Sequence, residues 1–129
     1  MNGIILDDQL LDQLRTQHPE YNDAVYAFVL AALHHVIQNL PEPRHISGTE
    51  LAMGVRDLAI ERFGPMARTV LEHWGIHSTT DIGRIVFALV DARVLIKQDD
   101  DSLLDFEDVF NFDEEFDSEY PWGRRSSRS

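Results

Sequence analysis

Apolar residues recur at helical spacing as far as Val90, and beyond it the rhythm changes. Leu10, Leu11 and Leu14 share one face behind Asp7 or Asp8, either of which can cap a first helix. His18-Pro19 ends it, because the residue before a proline is driven out of the α region. Asn22 or Asp23 opens a second helix, which runs to about Asn39 through Val25, Phe28, Val29, Ala32, Leu33, Val36 and Ile37. Tyr26, Leu30 and Ala31 make its other faces apolar too, which predicts a central helix with neighbours on several sides. Pro41 and Pro43 then force an extended link.

The next two helices have their start and stop signals written out. Ser47 and Glu50 have capping-box spacing, in which the serine oxygen takes a backbone N–H and the glutamate reaches back. Leu51, Val55, Leu58, Ala59 and Phe63 form the buried stripe of the third helix. Gly54 interrupts it at a cost of about 1 kcal/mol relative to alanine, which implies close approach of another backbone. Gly64 suits the left-handed position after a helix, and Pro65 suits the first turn of the next. Met66, Val70, Leu71 and Trp74 line that fourth helix, and Gly75 closes it. Thr79 or Thr80 caps a fifth, carrying Ile82, Ile85, Val86, Leu89 and Val90.

After Val90 the pattern reads as strand. Val94-Leu95-Ile96 is one short run, residues 98–102 form an acidic turn, and Phe106, Phe110 and Phe112 alternate onto one face of a return strand. The expected fold is mostly α with a C-terminal β-hairpin (α+β), with five helices and a winged-helix-like half over 65–112. The link 75–80 is longer than the tight turn of a standard helix-turn-helix. The domain is expected to fill 1–112, with 113–129 a disordered tail, acidic and then rich in Arg and Ser.

Several stretches together are distinctive: His45-Ile46-Ser47-Gly48-x-Glu50-Leu51, Glu61-Arg62-Phe63-Gly64-Pro65-x-Ala67-Arg68, His73-Trp74-Gly75-Ile76 and Asp105-Phe106-Glu107-Asp108-Val109. Over residues 5–112 the chain resembles an uncharacterised small bacterial protein family known mainly from planctomycetes and verrucomicrobia. The resemblance implies a soluble, cytoplasmic bacterial protein. It brings no activity, cofactor or catalytic residue.

The chain has 129 residues, 43% of them hydrophobic, enough for one domain with a real core. It has no cysteine, which excludes disulfides, thiolate zinc sites and thiol catalysis. No signal peptide is evident, and the most apolar stretch, 24–33, is too short for a bilayer, which needs about 20 apolar residues. These features agree with a cytoplasmic location. The formal net charge of -12 is unevenly placed: residues 99–119 hold 11 carboxylates and no Lys or Arg. Such a segment repels nucleic acid and anionic membrane.

Candidate chemistry is sparse. His73 and His77 have ligand-pair spacing, but Gly75 breaks the helix between them, so no metal site is assigned. Asp99-Asp100-Asp101 is not a calcium loop, since Leu104 and Phe110 stand where glycine and glutamate are required. No nucleophile elbow, Walker loop or dinucleotide fingerprint occurs, and no cofactor is implied. Ser47 is accounted for as a helix cap. The best polar constellation is Arg56, Glu61, Arg62 and Arg68 around the Gly64-Pro65 corner, with His73 beyond it. Facing a cleft, these groups would bind a phosphate or carboxylate; paired with one another, they would pin the corner.

Three functions follow. The leading one is a non-enzymatic interaction or regulatory module that docks a basic protein surface through Asp99, Asp100, Asp101, Glu114 and Glu115. The second is a winged-helix transcriptional regulator, disfavoured because the recognition-helix candidate carries Asp81, Arg84 and Asp91 and the wing tip three aspartates. The third is a small-ligand or enzyme site at the Arg62–Arg68 corner. Nothing in the pattern assigns an oligomeric state.

Overall fold

Local side-chain chemistry sets most of the helix starts in the computed structural model, which describes residues 7–116. Asp7 accepts the Leu10 N–H at 2.9 Å and opens α1, Asp8–Gln17. Asn22 accepts the Ala24 N–H at 2.9 Å at the start of α2, Ala24–Gln38, while Asp23 is drawn aside to the Arg15 guanidinium. Both halves of the capping box form at α3, Gly48–Phe63: Glu50 N–H to Ser47 Oγ at 3.1 Å and Ser47 N–H to Glu50 Oε1 at 2.9 Å. Gly64, at φ 52, ends α3, and Pro65 sits in a 3-10 turn, so α4 starts only at Ala67 and runs Ala67–His73. Helix α5 is Thr79–Asp91, and a short α6, Phe112–Phe116, closes the described chain.

Helices α2, α3 and α5 pack against one another. Gly54 of α3 meets α2 so closely that a Cβ there would lie 2.4 Å from Val36 Cγ2; the close neighbour is thus a side chain, with the nearest α2 backbone atom, Ala32 O, at 3.5 Å, rather than the close backbone expected. Tyr26 of α2 is fully buried, and its hydroxyl has no hydrogen-bond partner. Burial, with smaller contributions from Glu20 and Asp23, pushes its phenol up to about 12. A buried hydroxyl without a partner keeps its desolvation cost, so Tyr26→Phe is expected to raise stability by about 1 kcal/mol, measured by urea melts.

The expected β-hairpin is absent, and so is the winged helix: no strand occurs among the described residues. The cause lies at the end of α5. Arg93 turns left-handed at φ 65, and the Val94 and Leu95 N–H groups bond back to Leu89 O at 2.9 and 3.2 Å. Amides that a strand would have offered to a partner strand instead cap the helix. Val94 and Leu95 are buried, which explains their apolar run without a sheet.

The return strand fails for a related reason. Residues Leu103–Phe106 form a 3-10 turn, with Ser102 accepting the Leu104 N–H at 3.1 Å and Asp105 accepting the Ser102 N–H at 3.0 Å. Phe106 faces Phe87 edge-on, whereas Phe110, Phe112 and Phe116 form a separate aromatic cluster with centroids 5.0 to 5.8 Å apart. The apparent alternation of Phe106, Phe110 and Phe112 therefore belongs to two packing sites. The domain also extends past its expected end at 112. Phe116 is buried, and residues 113–116, assigned to a disordered tail by sequence, complete α6. Residues 117–129 of that tail lie outside the described residues. No described helix is long and apolar enough to cross a membrane.

Candidate interaction surface and arginine corner

The acidic segment after α5 is tied down at intervals. His45 Nε2 lies 3.1 and 3.2 Å from the two Asp101 carboxylate oxygens, and the Gln98 N–H donates to the same carboxylate at 2.7 Å. The Asp101 side chain is only 7% exposed. Thr49 donates its hydroxyl proton to the Asp105 carbonyl at 3.0 Å, and the Val109 N–H reaches Thr79 Oγ1 at 3.3 Å. Asp99, Asp100, Glu107 and Asp108 stay at the surface, joined there by Leu104, 69% exposed, and by Ile96 and Leu103. Asp101 thus leaves the docking set expected for it, because its carboxylate is turned inward, onto the His45 ring and the Gln98 N–H.

The arginine corner is divided between two partners from the C-terminal segment. Arg56 donates to Asp57 at 2.9 Å and to Glu115 at 3.4 Å, with its guanidinium 6.0 Å from the Phe110 centroid. Arg68 donates to Glu72 at 2.8 Å and to Asp113 at 2.6 Å. The acidic cluster and the arginine cluster, read as separate candidates, therefore answer each other across α6. Glu115 is drawn into that contact, and Glu114 remains exposed. Arg62 takes no part in it and lies over the Phe28 ring at 5.7 Å, beside Phe63 and Trp74. Glu61 and His73 are exposed and make none of these bonds.

An opening of about 240 Å³ lies beside Arg68, lined also by His77, Ser78, Thr80 and Asn111. Asp108 and Asp113 share its wall, so the potential there does not favour an anion. No group of three or more His, Asp or Glu suited to a metal occurs among the described residues.

One polar cluster escaped the sequence reading. Asp81, buried in the first turn of α5, accepts the Tyr21 hydroxyl at 2.8 Å and the His77 N–H at 2.9 Å, with Arg84 at 3.2 Å. Burial, followed by the bond to Asp81, holds the Tyr21 phenol well above its usual range. The Ser78-x-x-Asp81 spacing, a serine or threonine followed three residues on by an acid, was the available signal. Nothing local announced Tyr21, which is 60 residues away.

Near the acidic segment, Glu50 is held at about 2 by the Arg44 guanidinium and then by the Ser47 N–H. Arg44 grips it with two bonds, at 3.0 and 2.7 Å. A carboxyl lowered in the folded state adds stability above its unfolded pKa and loses it as pH falls through the folded value. That contribution is therefore complete above about 4.5 and fades toward 2. In Glu50→Gln the acid limb should be shallower across this window, as read by urea melts at stepped pH.

Comparison with protein-family models, with curated proteins and with solved structures finds no match to this chain.

Proposed function

We propose that this protein is a non-enzymatic, cytoplasmic interaction module that docks a basic protein surface through its acidic segment. One observation carries the reading. Asp99, Asp100, Glu107, Asp108 and Glu114 are exposed, with the apolar side chains of Leu103 and Leu104 exposed among them along the chain, and no Lys or Arg occurs from Asp99 to Glu114. Exposed like charges steer an oppositely charged partner, and apolar groups among them supply area to bury once it arrives. The segment is pinned at Asp101, Asp105 and Val109, so it presents these groups from a fixed backbone and loses less entropy on binding.

A DNA regulator is not supported. The wing does not form, and the helix assigned to recognition is a core element: Ile82, Gly83, Ile85, Val86, Ala88 and Leu89 of α5 are all buried. The test compares wild type with a triple variant, Asp99→Asn, Asp100→Asn, Asp108→Asn, as bait in host lysate at low and physiological salt. A basic protein retained by wild type, weakened by salt and absent from the variant is the expected result. Equal capture by both baits would refute the reading.

A further inference from the structure

An open groove of about 610 Å³ runs between the C-terminal end of α2 and the start of α3. Its apolar side chains are Val36, Leu40 and Met53, and its acidic ones are Glu50 and Asp57. Helix α2 is apolar nearly all round, and along this groove Val36 and Leu40 remain only partly buried. Thr49 lines the groove and also bonds the Asp105 carbonyl, so one end of the groove opens onto the acidic segment.

The charge is lopsided. Arg44 pairs with Glu50 and Arg56 with Asp57, whereas Asp99, Asp100 and Glu107 stand exposed in the segment whose Asp105 carbonyl Thr49 holds. A partner lying in the groove would meet apolar surface along its length and excess negative charge at that end. From Thr49 to Asp57 the α3 wall is about 12 Å long at 1.5 Å per residue, enough to cover side chains i to i+7 of another helix, which span about 10.5 Å.

Resting on the docking function proposed above, we infer that the groove seats an amphipathic helix of the basic partner. Its apolar stripe lies on Val36, Leu40 and Met53, and its Lys or Arg residues cluster at the end over the acidic segment. A second copy of this chain is a poor occupant, because each carries a net charge of -12.

The test uses the full chain and two synthetic peptides of one Leu/Lys composition, one ordered as an amphipathic helix and one scrambled. Affinity is read by fluorescence anisotropy and location by backbone NMR shifts. The ordered peptide should bind about tenfold tighter than the scrambled one, shifting Val36, Leu40 and Thr49. Met53→Arg should abolish that preference, and Leu40→Lys serves equally if Met53→Arg melts early. Equal affinity for the two peptides, or unchanged preference in a folded groove variant, overturns the inference. Should the Asp99→Asn, Asp100→Asn, Asp108→Asn variant lose both peptides while the groove variants bind normally, acidic docking stands and the groove falls. If neither kind of variant nor salt alters binding, both proposals fall.

Discussion

Phe106→Ala is expected to destabilise the protein by about 3–5 kcal/mol, the usual range for emptying a buried phenylalanine site. Its ring is 1% exposed and fills a slot whose walls are two helical glycines. A Cβ on Gly48 of α3 would come within 2.7 Å of the ring, and a Cβ on Gly83 of α5 within 2.8 Å of Phe106 Cβ and Cγ. Glycine costs each helix up to about 1 kcal/mol, and what it permits is this aromatic wedge. The prediction therefore includes a coupling between the two sites. In wild type, Gly83→Ala should destabilise by about 1–2 kcal/mol, because crowding against Phe106 outweighs the gain in helix propensity. In a Phe106→Ala background the same substitution should cost less, since the clash with Cγ is gone while the residue 106 Cβ at 2.8 Å and Leu103 Cδ1 at 2.9 Å remain. Urea melts of the four proteins close the cycle, and additive effects would remove the wedge from the account. Hydrogen exchange supplies a second reading: the Glu107 and Val109 amides, bonded to Leu104 O and Thr79 Oγ1, should exchange faster in Phe106→Ala.

Asp81→Ala is expected to cost about 3 kcal/mol, because it strands two donors, each worth about 1–3 kcal/mol when left without a partner. The Tyr21 hydroxyl and the His77 N–H both end on this carboxylate, which joins the α1–α2 corner to the α4–α5 link. The joint has a second stitch beside it, the Asn22 N–H to Trp74 O at 3.0 Å. Gly75 fits there only without a side chain: at φ 102 its Cβ would lie 2.6 Å from Glu20 O. Tyr21→Phe removes one of the stranded donors in advance. The double variant should therefore be less destabilised than the two single costs added together, by about 1 kcal/mol. Asp81→Asn keeps an acceptor oxygen and should fall between wild type and Asp81→Ala. A wild-type midpoint for Asp81→Ala would show that the buried carboxylate does not lock the corner.

The helical part of this molecule was legible because its signals are local. Ser47 and Glu50, Gly64, Gly75 and the apolar stripes of α2, α3 and α5 each act within a turn or two of themselves, and each stands where its chemistry placed it. The sequence by itself also determined the charge asymmetry, since composition needs no coordinates. The region after Val90 was misread because its apolar residues answer to distant partners. Val94 and Leu95 look like a strand, but the left-handed turn at Arg93 returns their amides to α5. Phe106 looks like one face of a hairpin, but Gly48 and Gly83 open a better place for it between two helices. Asp101, Asp113 and Glu115 look like free charge, but His45, Arg68 and Arg56 stand within reach. Alternation and charge runs record only that a residue is apolar or ionised. Whether an apolar residue finds a strand or a slot, and whether a carboxylate meets water or a guanidinium, depends on groups about 50 residues away, so only the tertiary structure decided it.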